Sequence, residues 1–206
     1  MYHSLMMIKN VIFDIGGVLT HLTFRKKLQS LGYSEEITAR LARASCMNPV
    51  WRELDRGVMR IDEIVRIMVY TDPEIEDEIR LFMSDVRGVV ERAEHAIPWI
   101  KELKAKGYNC YFLSNWSTSL MKDCTDVMDF LPYLDGGVFS CDAKLLKPDR
   151  EIYDFIADKY NLVKAECIFI DDNLDNMQGA KDAGMQALLY TGYEETYTNL
   201  NEILGI

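Results

Sequence analysis

The sequence predicts an α/β protein: a doubly wound parallel sheet into which an all-helical cap is inserted. Three observations carry that prediction. Short apolar runs each stop abruptly at polar residues, helical patterns separate those runs, and in one long stretch, residues 20–88, the alternation fails.

Ile8, Val11, Ile12 and Phe13 make the first run, which ends in Asp14-Ile15-Gly16-Gly17. Residues 110–113 before Ser114-Asn115, and 167–170 before Asp171-Asp172-Asn173, repeat the form. Unbroken β-branched or aromatic runs suit strands covered on both faces, the condition of a parallel sheet. Fainter strands are expected at 138–140 and 186–190. Between the runs, Ala93, Ile97, Ile100 and Leu103 recur at about one helical turn, with Gly107 as a stop. Ile152, Phe155, Ile156 and Tyr160 form a second stripe, opening just after Pro148, where a helix start is favoured. Strand and helix in alternation imply the doubly wound sheet.

Residues 20–88 show no convincing strand. Their clearest helix carries Ile61, Ile64, Val65, Met68 and Val69 on one stripe, with Asp62 and Glu63 in its first turn. The division expected is a core of residues 1–19 and 89–206 and a cap of 20–88. Phe24, Trp51, Tyr70, Met47, Met59 and Met68 are expected in the core of the cap, and the glutamates at 35–36 and 74–78 on solvated helix faces. Residues 1–6 precede the first strand without evident purpose, which makes Met6 or Met7 an alternative start.

With 206 residues, 49% hydrophobic and 27% charged, the chain suits one core with an inserted element. A net charge of -10 repels polyanions, so neither nucleic acid nor an acidic membrane is an expected partner, and a site for an anion must supply its own positive charge. Five cysteines without a C-x-x-C pair read as reduced, buried thiols, with Cys110, Cys141 and Cys167 in strand-like runs. No apolar stretch suits a signal peptide or a membrane span, and the expected location is the cytoplasm.

Ligands of open parallel sheets bind beyond the carboxyl ends of the strands. Asp14, Ser114, Asn115, Lys147, Asp171 and Asp172 are therefore expected to converge, and together they suit phosphoryl transfer. Asp14 would be the nucleophile, splitting one hydrolysis into two displacements. An anion attacking an anion needs charge compensation. Asp14, Asp171 and Asp172 around Mg²⁺, a cation that prefers oxygen ligands, supply it, and the Gly16 carbonyl is a fourth candidate ligand. Lys147 would neutralise the phosphoryl oxygens of a small phosphomonoester, while Ser114, with Asn115 beside it, would contact the phosphate. Adjacent carboxylates such as Asp171-Asp172 repel unless a cation or proton intervenes.

Other chemistries find less support. His3, His21 and His95 have no metal-ligand spacing, Ser114 lacks a G-x-S-x-G frame, and neither G-x-G-x-x-G nor G-x-x-x-x-G-K-[ST] occurs.

The pieces FDIGGVL (residues 13–19), LSN (113–115), KP (147–148) and FIDDNLDN (169–176) resemble, in order and spacing, the four motifs of the haloacid dehalogenase-like hydrolases. The resemblance covers nearly the whole chain. It implies a Rossmann-like core with a helical cap between the first two motifs, Asp14 as nucleophile, Ser114 and Lys147 on the phosphate, Asp171 and Asp172 on Mg²⁺, and Asn176 supporting the metal ligands. Gly16, together with residues 51–57 (WRELDRG), is similar to bacterial phosphatases acting on α-D-glucose 1-phosphate. Most phosphatases of the superfamily carry a second aspartate where this chain has Gly16, used as general acid and base. Its loss, about 10²- to 10⁴-fold in rate, favours leaving groups that need little protonation. Two alternatives stand beside the phosphatase. A haloacid dehalogenase would use the same aspartate but needs no metal, which leaves Asp171-Asp172 unexplained. A phospholigand-binding protein could have lost turnover with its acid at position 16.

Overall fold

The computed structural model describes residues 7–206; the expectations on residues 1–6, His3 included, lie outside them. Strand β1 (Asn10–Phe13) is followed by β2 (Thr20–Leu22), by α1 (Phe24–Ser30), α2 (Glu35–Ala44), α3 (Trp51–Arg56), α4 (Ile61–Thr71) and α5 (Glu76–Ser84), and by β3 (Val90–Arg92). The chain continues through α6 (Ala96–Ala105), β4 (Asn109–Ser114), α7 (Thr118–Asp123), β5 (Gly136–Phe139), α8 (Ser140–Ala143), α9 (Arg150–Tyr160), β6 (Cys167–Asp171), α10 (Leu174–Asp182), β7 (Gln186–Leu189) and α11 (Tyr193–Leu204).

Five strands form a sheet in the order β5-β4-β1-β6-β7, with every pairing parallel. This is the doubly wound, Rossmann-like α/β fold the sequence predicts. Side chains alternate across it. Val11, Phe13, Cys110, Phe112, Ile168 and Ile170 pack on one face with Trp99 and Ile100 of α6, while Ile12, Tyr111, Leu113, Cys167 and Phe169 pack on the other with Ile152, Tyr153 and Ile156 of α9. Both faces are covered, which is why the runs read as continuously apolar rather than alternating.

The stretch that breaks the rhythm contains α1 to α5, but also a strand the sequence reading did not expect. Thr20–Leu22 pairs antiparallel with Val90–Arg92, so the helices are bracketed by a two-stranded ribbon. Its three-residue strands are too short, and too exposed at His21 and Leu22, to leave an apolar pattern. Leu28, Leu41, Ile64, Met68, Ile79 and Phe82 make these helices' core, continuous with one face of the main sheet. Tyr70 and Met47, expected in that core, are exposed, and Cys141, expected in a strand, lies in α8. All five cysteines are free thiols. No helix among the described residues is long and apolar enough to cross a membrane.

Candidate active site

The register of the sheet brings the site together. Phe13 pairs with Phe112 on one side and Ile170 on the other, so the next residues, Asp14 and Asp171, stand level with one another at the end of their strands. The Asp14 N–H completes the ladder on the Ile170 carbonyl at 2.8 Å. Beside them, β4 ends at Ser114.

Asp14 is 7% exposed, and three donors converge on its Oδ1: the Ile15 N–H at 2.7 Å, the Ser114 hydroxyl at 2.7 Å and the Lys147 ammonium at 2.9 Å. That oxygen is thereby held in place. Lys147 also donates to Asp171 Oδ2 at 2.7 Å. It sits not at a strand end but in the turn between α8 and α9, held by Asn115, whose amide oxygen accepts from the Lys147 N–H (2.9 Å) and whose amide nitrogen donates to the Lys147 carbonyl (3.0 Å). The Asn115 side chain is thus committed to positioning Lys147, a role the sequence reading did not assign to it.

Asp171 is fully buried and well supplied with donors. The Asn173 N–H reaches its Oδ1 at 2.8 Å, and the Asn176 amide spans both oxygens at 3.0 and 3.1 Å. Asn173 caps α10 by accepting from the Asp175 and Asn176 N–H groups, which presents Asn176, in the first turn, back towards Asp171. Asp172 stands at the exposed rim. One oxygen each of Asp14, Asp171 and Asp172 lies within 4.8 Å of the others, a set of hard donors suited to a small dication.

The electrostatics point the same way. Burial pushes the Asp14 carboxyl up, against the pull of Lys147, and the nearby Asp171 adds to the rise. Partial burial, then Asp171, raises Asp172. Burial acts to lower Lys147, but the carboxylates of Asp14 and Asp171 overcome it and keep the ammonium charged. Carboxyls held up in this way come down when a cation joins them.

The glycines after Asp14 differ in their demands. Gly17 has φ +78°, and a Cβ there would lie 2.2 Å from Asp172 Oδ2, whereas a Cβ on Gly16 would meet only Leu22 Cδ2 at an ordinary 3.5 Å. The loop is therefore seated directly against the rim carboxylate.

A family model of haloacid dehalogenase-like hydrolases matches residues 8–184. The chain belongs to that family. Among its relatives, this haloacid dehalogenase-like hydrolase is 23% identical over 197 residues to the sesquiterpene phosphatase astK of Aspergillus oryzae, covering 96% of this chain and 97% of the relative. It is 26% identical over 192 residues to a D-ribitol-5-phosphate phosphatase of Bacteroides thetaiotaomicron, covering 87% and 90%. A HAD family enzyme from Bacteroides thetaiotaomicron, crystallised as a magnesium complex, shares the hydrolase's fold with a TM-score of 0.70 at 18% identity, over 93% of this chain and 98% of that one. Haloacid dehalogenases also occur among the similar proteins.

Proposed function

We propose that this hydrolase is a Mg²⁺-dependent phosphatase that releases phosphate from a small phosphomonoester, with Asp14 as the nucleophile. The reading is carried by the meeting of Asp14 with Asp171 and Asp172, one oxygen of each within 4.8 Å of the others, with Lys147 alongside. A dehalogenase gives no reason for that carboxylate set. The likeness to a D-ribitol-5-phosphate phosphatase supports a phosphorylated sugar or polyol as substrate.

Asp14, Asp171 and Asp172 would hold Mg²⁺, with the Gly16 carbonyl as a further ligand. The ion, when bound, supplies Lewis-acid compensation for an anion meeting an anion. Asp14, oriented by its three donors, attacks phosphorus through a carboxylate oxygen, and the bond from phosphorus to the leaving oxygen breaks, leaving an aspartyl-phosphate that water then hydrolyses. Lys147 and the Ser114 hydroxyl draw on the phosphoryl oxygens, and Asn115 contributes by holding Lys147. Asn176 keeps Asp171 aimed.

The test is a panel of sugar phosphates and nucleotides assayed for phosphate release with Mg²⁺ and with a chelator. Release that depends on Mg²⁺ is expected. Chloride release from 2-chloropropionate without metal, and no phosphate from any member, would overturn the reading.

Gly17→Ala tests the metal set separately. The added methyl would drive Asp172 away, so Mg²⁺ affinity, read by calorimetry, is expected to fall by about 10- to 100-fold, the scale seen when support for a metal ligand is lost. Gly16→Ala, with room for its methyl, is expected to fold with an unchanged melting temperature.

A further inference from the structure

The geometry points to Asp55, carried on α3, as the general acid that protonates the leaving oxygen and the general base that later activates water. This rests on the phosphatase reading above and fills a gap in it. The donors already described are engaged with carboxylates of the site. The Ser114 hydroxyl donates to Asp14, the Lys147 ammonium is held between Asp14 and Asp171, and Gly16 has no side chain. His95 faces elsewhere, with Nε2 2.9 Å from the Val18 carbonyl oxygen and its ring stacked on Tyr193.

Asp55 is seated over the same rim by its own backbone. The Ser140 hydroxyl donates to the Asp55 carbonyl at 2.6 Å and accepts the Trp116 N–H at 2.9 Å, which ties the end of α3 to the segments leaving β4 and β5. Two residues on, Gly57 turns the chain with φ +66° against Cys141, where a Cβ would come within 2.9 Å of the Cys141 carbonyl oxygen, and the Lys144 ammonium donates to the Gly57 carbonyl at 2.6 Å. Ser114, Asn115 and Lys147 belong to those same core segments.

Its side chain is what a purely structural residue would avoid. Asp55 is only 9% exposed, yet its Oδ1 has no hydrogen-bond partner among the described residues. A buried carboxyl with a bare oxygen costs stability and contributes none. Lys147 and Asp14 are near enough for their charges to act on it, as is Arg52. Burial outweighs these influences and raises the carboxyl to about 7, where an acid can both hold and release its proton near neutrality.

Two steps then balance. As the Asp14–phosphorus bond forms and the phosphorus–leaving oxygen bond breaks, the Asp55 proton passes to the leaving oxygen, giving the free alcohol and an Asp55 carboxylate. That carboxylate next takes a proton from water as the water oxygen bonds to phosphorus and the phosphorus–Asp14 bond breaks. Inorganic phosphate departs, and both carboxyls regain their starting states.

The experiment compares wild type with Asp55→Asn across aryl and alkyl phosphates of rising leaving-group pKa, with Mg²⁺. Wild type is expected to show a shallow dependence, not the preference for leaving groups of low pKa that Gly16 alone implies. Asp55→Asn should show a steep one, its loss growing along the series to about 10²- to 10⁴-fold for alkyl phosphates. An equal loss at every leaving group, or none, would overturn the assignment. So would a steep dependence in wild type, a measurement that needs no variant to fold. Absence of hydrolysis by wild type with every substrate would instead sink the phosphatase reading itself.

Discussion

Asp14→Asn is expected to lower phosphate release by about 10⁴-fold or more, the scale on which loss of a nucleophile acts, while the protein keeps its fold. The substitution is close to isosteric. The carbonyl oxygen of the new amide can still accept from the Ile15 N–H and the Ser114 hydroxyl, now at 2.7 Å each from Oδ1, so the loop has no reason to move. What disappears is the negative charge. A neutral amide cannot form the acyl phosphate, and it is a poor ligand for a dication beside Asp171 and Asp172. Lys147 keeps Asp171 as its partner. Because burial already works against the Asp14 charge, removing it costs the metal-free protein little. The melting temperature without Mg²⁺ is therefore expected to hold or rise, and the increment given by Mg²⁺ to shrink. Calorimetry with and without Mg²⁺, beside the phosphate assay, reads both. Activity surviving at more than a trace would remove Asp14 from the centre of the mechanism.

The parts of this site that rest on strand ends were legible in the sequence, because a strand buried on both faces leaves an unbroken apolar run and its polar successor stands out. Asp14 after Phe13, Ser114 at the close of β4 and Asp171 at the close of β6 were visible in this way. Lys147 carried no such mark. Its proximity to Asp14 is made by the turn between α8 and α9 and by the Asn115 amide, contacts across 32 residues that no local pattern encodes. The ribbon β2–β3 escaped because backbone pairing over three residues needs no apolar alternation. Asp55 lay inside a segment singled out only for its resemblance. A physical signal was present, since Asp55 is one turn on from Trp51 and adjoins Leu54, which sets a carboxylate towards the apolar side of a short helix. What could not be read was which surface that side would meet. The exposure of Tyr70 and Met47 follows from the same limit, for an apolar residue announces its chemistry but not the direction its helix turns it.

Lys147→Met should separate the two duties of the buried ammonium. It lies 2.9 Å from Asp14 Oδ1 and 2.7 Å from Asp171 Oδ2, itself 2% exposed, with its charge over the face of Phe169 at 5.2 Å from the ring centre. Methionine matches the length of the stem and keeps that apolar packing, so the change is mainly the loss of one positive charge between two enclosed carboxylates. Breaking a buried ion pair on one side costs about 3–5 kcal/mol, and here both carboxylates lose their partner. Without metal the variant is expected to melt well below wild type at neutral pH. The sign with pH follows from Asp14, whose folded-state value burial already holds above the ordinary range and which Lys147 now pulls down. With that pull gone the value rises further, so the stability this group contributes is present in acid and lost as the pH climbs towards 7. The metal-free variant should therefore recover part of its deficit between pH 7 and pH 5, and Mg²⁺ at pH 7 should raise its melting temperature by more than it raises that of wild type. Catalysis should not recover with it. The dication can stand in for the ammonium as a counter-charge to Asp14 and Asp171, but not as a donor to the phosphoryl oxygens, and loss of one such donor is expected to lower kcat by about 10²- to 10³-fold at saturating Mg²⁺. Full activity on metal rescue would mean that Lys147 only balances charge, and phosphate recognition would then fall to Ser114 and the backbone of the rim.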